Sequence, residues 1–276
     1  MLGRVLAGVL EEDFPGTVSA TRAEADVTDR FRLEAEIERL RPDAIINCAA
    51  CTDVDGCETD PDGARRVNAE GAGNAARAAA AGSRLIHVST DFVFDGRRNV
   101  PYTEDDPPAP LSEYGRSKLE GERRVAALAP DHLIVRTSWL YGAGRPNFVD
   151  AVRARARNGG TLRVVDDQFG SPTYAVDLAR ALRRLIHCDA RGLVHFANRG
   201  ICSRHEMARF ILDAGGFRGV GLEAIRTGEA GRIAVRPAFS ALDTARYVRL
   251  TGEAPRPWQE ALRDYLGASP GPEAAT

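Results

Sequence analysis

Long apolar runs are missing from this chain of 276 residues, and none approaches the ~18 consecutive apolar positions of a membrane span. A basic block is missing too. Lys and Arg number 37 against 39 Asp and Glu, for a net charge of -2, which argues against a nucleic-acid partner. The N-terminus has no basic stretch leading into an apolar core, so no secretory signal is visible. Cysteine is sparse: Cys48, Cys51, Cys57, Cys188 and Cys202 make an odd count at irregular spacing. Cys48 and Cys51 form a C-x-x-C, but no second ligand pair accompanies them, and the five histidines show no metal spacing. Reduced thiols, no metal site and a cytoplasmic setting are the expectation.

What is present is a rhythm. TVSAT (17–21) reads as a short strand, Arg30 to Leu40 as a helix stopped by Pro42, and DAIINCAA (43–50) as a buried strand. An Ala-rich helix opens at Asp60-Pro61, a capping residue followed by proline at the first helical position. RLIHVS (84–89) and HLIVRTS (132–138) are further strands, with a helix from about Glu113 to Leu128 between them. Strand and helix in alternation predict an α/β, Rossmann-like, doubly wound parallel sheet with helices on both faces. Beyond Tyr141 the pattern loosens. Helices are expected near 147–157, 174–187, 203–214 and 257–266, with short strands near 162–165 and 193–197. The chain therefore divides into a nucleotide-binding domain (1–145), a smaller substrate lobe interleaved with it (146–267) and a flexible tail (268–276).

The first ten residues are out of place in that rhythm. Leu2, Val5, Leu6, Val9 and Leu10 form the stripe of an amphipathic helix. In a dinucleotide-binding fold such a helix follows a strand and a glycine turn, and its N-terminus faces the pyrophosphate. Gly3 takes the place of the last glycine of that turn, with Met1 and Leu2 before it. The first strand and the earlier glycines are not in this sequence, and we expect a native start about ten residues upstream.

The chemistry concentrates in STDFVFDG (89–96) and YGRSK (114–118). Tyr114 and Lys118 are i and i+4 on one helix and share a face. Thr90 follows an apolar strand, at the carboxyl edge where open α/β sheets bind ligands. Together they supply what carbonyl reduction needs. A phenol donates a proton as hydride reaches the carbon, an ammonium nearby lowers the phenol's pKa, and a hydroxyl fixes the carbonyl oxygen.

These stretches resemble the dTDP-4-dehydrorhamnose reductase family of the extended short-chain dehydrogenase/reductases. NCAACTDVDGCE (47–58) is similar to the family's N-A-A-A-x-T-x-V-D-x-x-E, and STDFVFDG to S-T-D-Y-V-F-D-G, with Phe92 where tyrosine is usual. EYGRSKLEGE (113–122), RTSWLYG (136–142), DDQFGSPTYAVDLA (166–179) and RPAFSALDT (236–244) continue the likeness over nearly the whole chain. Tyr-x-x-x-Lys marks only the superfamily; the combination is far narrower.

The resemblance implies reduction of the 4-keto group of dTDP-4-dehydro-6-deoxy-L-mannose by NADPH, with NADH as the other possible donor. It makes Tyr114 the proton donor, Lys118 its partner and a hold on the cofactor, and Thr90 the carbonyl anchor. Asp91 and Trp139 fall on the sugar side. Met1, Leu2, Gly3, Asp26, Val27, Ala50, Cys51 and Thr52 fall on the cofactor side, and Arg22 is placed to meet a 2′-phosphate. The partner is a nucleotide sugar, and a homodimer is allowed. Two other readings stand beside this one: a 4-ketoreductase for another dTDP-4-keto-6-deoxysugar, and a non-catalytic nucleotide-binding relative with a regulatory role.

Overall fold

The computed structural model describes residues 1–268. Four parallel strands lie side by side in chain order: β1 (Ala44–Asn47), β2 (Arg84–Thr90), β3 (His132–Thr137) and β4 (Gly192–His195). Their apolar side chains alternate between two buried faces, as the pleat requires. On one face Ile86, Leu133, Val135 and Val194 meet helices α1 (Leu2–Glu11) and α5 (Ala175–His187). On the other, Leu85 and Ile134 meet α2 (Arg30–Leu40), α3 (Gly71–Ala79) and α4 (Glu113–Leu128). This is the expected sheet with helices on both sides.

The apolar stripe of α1 does what its period predicts. Leu2, Leu6 and Leu10 are all buried against α5 and the sheet. Each leucine taken from water stabilises by roughly 1.5–3 kcal/mol, enough to seat a helix that has no side-chain cap at Met1.

TVSAT is a correction. Residues 17–21 form no strand: a strand exists only against a hydrogen-bonded neighbour, and among the described residues this segment has none. It is held by local contacts instead, Thr17 donating to the Phe14 carbonyl and Thr21 to the Glu24 carboxylate. A second correction concerns the Ala-rich helix. Asp60 caps it by accepting from the Gly63 N–H, with Pro61 at its first position. One π turn, Arg66–Glu70, then interrupts it before α3. Periodicity does not register a single inserted residue, yet such turns re-aim side chains.

The later elements build a second apolar cluster. Helices Phe148–Arg157, α6 (Arg204–Ala214) and Trp258–Ala268 pack Val149, Met207, Ile211 and Leu262 over a parallel pair, Thr161–Val165 with Gly221–Ile225. Gly221–Ile225 is not expected from the sequence because GLEAI is short and interrupted by an exposed Glu223. Ala268 is the last described residue of the last helix, and the rest of the expected tail, Ser269–Thr276, lies outside the described residues. No helix among the described residues is long and apolar enough to cross a membrane.

Candidate active site

β2 ends at Thr90, whose hydroxyl accepts the Phe92 N–H and so caps a tight turn over Asp91–Val93. Helix α4 starts immediately against that turn. Ser112 caps it by accepting from the Gly115 N–H at 3.1 Å. Gly115 has to be glycine here, since a Cβ would stand 2.2 Å from the Phe92 carbonyl oxygen. That close approach sets Tyr114 beside Thr90, whose hydroxyl hydrogen-bonds the phenol. The Phe92 ring meets Tyr114 edge-on, with centroids 5.5 Å apart. One helical turn further, the Lys118 Nζ donates to the Val88 carbonyl at 2.7 Å and lies 3.4 Å from His87 Nε2. Thr90, Tyr114 and Lys118 thus gather at the carboxyl end of β2.

Their electrostatics differ from the expectation in one respect. Burial pushes the Tyr114 phenol above its ordinary pKa, the Thr90 hydrogen bond opposes this, and the Asp91 charge adds to it. Lys118 stands one turn further along α4. Its amine turns into the sheet toward Val88, and burial pushes its own pKa down to about 8, against the pull of Glu122 and Cys48. Burial thus outweighs the effects that lower the phenol's pKa, and the net shift is upward where a lowering was expected.

Asp91 forms the floor of the other side. It is 2% exposed, with Oδ1 accepting from Thr90 and Oδ2 left without a partner. Burial raises its pKa to about 6, opposed by hydrogen bonds from Ser240 and Thr90 and by the charge of Arg204. Trp139 stands at the end of β3 with φ +46, a left-handed conformation that costs a non-glycine residue of order 1–3 kcal/mol. Gly170 lets the backbone approach its indole, where a Cβ would lie 2.6 Å from the ring. The Arg204 guanidinium lies over the same indole, 3.5 Å from a ring centroid, and 5.1 Å from that of Phe148. Arg204, from the first turn of α6, thus lies on one face of the indole expected to meet a sugar.

The cofactor-side residues are spread along the same edge. Loop Ala50–Thr52 leaves the end of β1 and is pinned by Asn68 of the π turn, which accepts from the Cys51 N–H at 2.8 Å and donates to its carbonyl at 3.0 Å. Gly3 sits at the start of α1 beside Cys48, a Cβ there lying 3.9 Å from that of the cysteine. The Leu2 side chain is buried in the core and Gly3 has none, so these two offer only backbone to a ligand. Asp26 accepts from Thr28 and pairs with Arg22 at 2.9 Å, which hold its carboxyl down at about 2. Val27 packs toward Gly71 and gives its carbonyl to Asn74. Free N–H groups at the start of α1, a loop of small residues and a buried amine on one edge fit a dinucleotide.

A family model described as the RmlD substrate binding domain matches residues 1–269. The chain belongs to this family, that of the dTDP-4-dehydrorhamnose reductases. RmlD-type proteins are NAD(P)-dependent oxidoreductases, and the likeness extends over nearly the full chain. It is 41% identical over 275 residues to the dTDP-4-dehydrorhamnose reductase of Mycobacterium tuberculosis, covering 97% of this chain and 90% of that one. A dTDP-4-keto-6-deoxy-D-glucose reductase of Streptomyces niveus is 38% identical over 270 residues, 95% of this chain and 92% of that one. The crystal structure of a dTDP-4-dehydrorhamnose reductase from Bacillus anthracis in complex with NADP superposes with a TM-score of 0.93 at 36% identity, covering 97% and 95% of the two chains.

Within this RmlD fold Arg204 and His87, at or behind the site, escape a reading of motifs, while Ser240 lies in RPAFSALDT and Asn68 in a V-N pair that resemble the family's. Arg204, Ser240, Asn68 and His87 reach it only through tertiary packing. For Asn68 the family's V-N pair was a signal, at Val67-Asn68, but nothing in the letters says that its amide holds a loop 17 residues away.

Proposed function

We propose that this chain reduces the 4-keto group of dTDP-4-dehydro-6-deoxy-L-mannose, giving dTDP-L-rhamnose, with NADPH as the preferred donor and NADH as the lesser one. The reading is carried by one observation: Thr90, Tyr114 and Lys118 meet at the carboxyl end of β2, beside a second wall of Asp91, Trp139 and Arg204. Bound NADPH supplies the hydride. The backbone of Met1–Gly3, the Ala50–Thr52 loop, Asp26 and Val27 would hold it, with Tyr114 and Lys118 at its reactive end. Tyr114 gives its phenol proton to the carbonyl oxygen as the carbon is reduced, while the Thr90 hydroxyl holds that oxygen in line. Deep placement keeps the phenol protonated at neutral pH, the form a proton donor needs.

A second reading is a 4-ketoreductase for another dTDP-4-keto-6-deoxysugar. Two features favour keeping it: Phe92 takes a hydroxyl away from the sugar side, and Arg204 lies over the Trp139 indole. A purely regulatory relative has less support, because all three reacting groups are present and gathered. The test is NADPH oxidation across a panel of dTDP-4-keto sugars. The highest kcat/KM is expected for dTDP-4-dehydrorhamnose; a higher value for another sugar would favour the second reading, and no turnover of any would remove both.

A further inference from the structure

Behind Lys118 lies a chain of buried polar groups whose hydrogen-bond directions are fixed. β1 and β2 run in register with Asn47 beside His87, and both side chains are buried. The Asn47 amide can face only one way. Its Oδ1 accepts the Ala49 N–H at 3.0 Å, so Nδ2 is the atom 3.2 Å from His87 Nδ1. An amide nitrogen donates and does not accept, so Nδ1 must carry the lone pair. Burial holds His87 neutral, its pKa well below the ordinary value. The one imidazole proton is then on Nε2, 3.4 Å from Lys118 Nζ. An N–H aimed at an ammonium repels it; aimed at the lone pair of an amine it is a hydrogen bond.

Other groups bear on Lys118. Cys48, beyond the end of β1, is a neutral thiol, pushed up to about 11 by burial. Glu122, one turn along α4, favours the ammonium, but its carboxylate is already engaged by Arg136 at 2.7 Å and by Ser89. Tyr114, one turn back, is protonated. Only His87 presents a donor that prefers the uncharged amine.

We propose that His87, with its tautomer set by Asn47, is a positioning residue for the reduction: its Nε2–H faces Lys118 and makes the lysine's proton releasable. The proposal rests on the roles of Tyr114 and Lys118 given above. In each turnover the phenol loses one proton to the carbonyl oxygen and must regain one. The phenolate takes its new proton from Lys118, which becomes an amine that accepts from His87 and is reprotonated from solvent, so the count closes.

The experiment uses the whole protein, first without substrate and then in turnover. Nitrogen NMR of His87 reads the tautomer, and the Lys118 ε-methylene shift reads its titration. The wild type is expected to show the Nε2–H form. In Asn47→Asp one carboxylate oxygen still accepts from Ala49, and the other demands an N–H from Nδ1, so the tautomer switches and Nε2 becomes an acceptor. The Lys118 midpoint should then rise by about one pH unit or more, a tenfold gain in proton affinity, and the alkaline limb of kcat/KM should move with it. An Nδ1–H tautomer in the wild type overturns the proposal. So does an unmoved midpoint in Asn47→Asp, or a midpoint that rises without a tautomer switch, which would be the added charge alone. Since the tautomer and the Lys118 midpoint are both read without sugar, a wrong substrate assignment would show separately, as missing turnover.

Discussion

Tyr114→Phe is expected to lower kcat at least ~100-fold, the low end for removal of a general acid, while leaving NADPH affinity near that of the wild type. The change deletes one oxygen and keeps the ring that meets Phe92 edge-on, so α4 and its Ser112 cap should be undisturbed. What disappears is the proton delivered to the carbonyl oxygen and the hydrogen bond to Thr90. Steady-state assay with the best sugar gives kcat, and quenching or enhancement of cofactor fluorescence gives the affinity. A variant that binds NADPH normally and turns over within a few fold of the wild type would take the phenol out of the mechanism.

Asp91→Asn should stabilise the fold at neutral pH relative to the wild type, an effect opposite to most substitutions of buried residues. The carboxyl is buried with one oxygen unpartnered, and its folded pKa of about 6 lies above the ordinary 3.8. A raised pKa means that the folded state holds the proton more tightly than the unfolded state between those values. Stability from this group is therefore fully present below about pH 4 and lost as pH rises through about 6. Asparagine mimics the protonated form at every pH. The stability difference should thus move in its favour by on the order of 1–3 kcal/mol between pH 4 and pH 7. Urea unfolding at both pH values measures it; a difference that does not change with pH would mean that Asp91 is ionised at no cost. The native residue is then a charge retained at some cost in stability beside Thr90 and Arg204, which is the pattern expected of a group kept for binding.

Much of this architecture was legible from the letters because it depends on period and punctuation. The α1 stripe, the Arg30–Leu40 helix, the Asp60-Pro61 cap and the Glu113–Leu128 helix follow from local rules, and the structure reproduces them. TVSAT failed because a strand is a relation between two segments and its letters describe only one. The π turn failed because one extra residue leaves the apolar pattern almost unchanged. The gathering of Thr90, Tyr114 and Lys118 was readable from a strand end followed by a Tyr-x-x-x-Lys helix. The direction of the Lys118 amine was not: it is set by Val88 and His87 on the strand beneath, which no spacing on α4 reveals. Likewise Arg204 is 65 positions from Trp139 and meets it only because α6 packs beside the end of β3.

On the proposed function, this edge of the sheet delivers a hydride to carbon 4 of a nucleotide-linked sugar. Incubation of the protein with dTDP-4-dehydrorhamnose and NADPH deuterated at the transferred position tests it in one step. One deuterium is expected, on carbon 4 of the deoxysugar, with loss of the label from the oxidised cofactor. Oxidised cofactor with an unlabelled sugar, or deuterium at any other carbon, would contradict it.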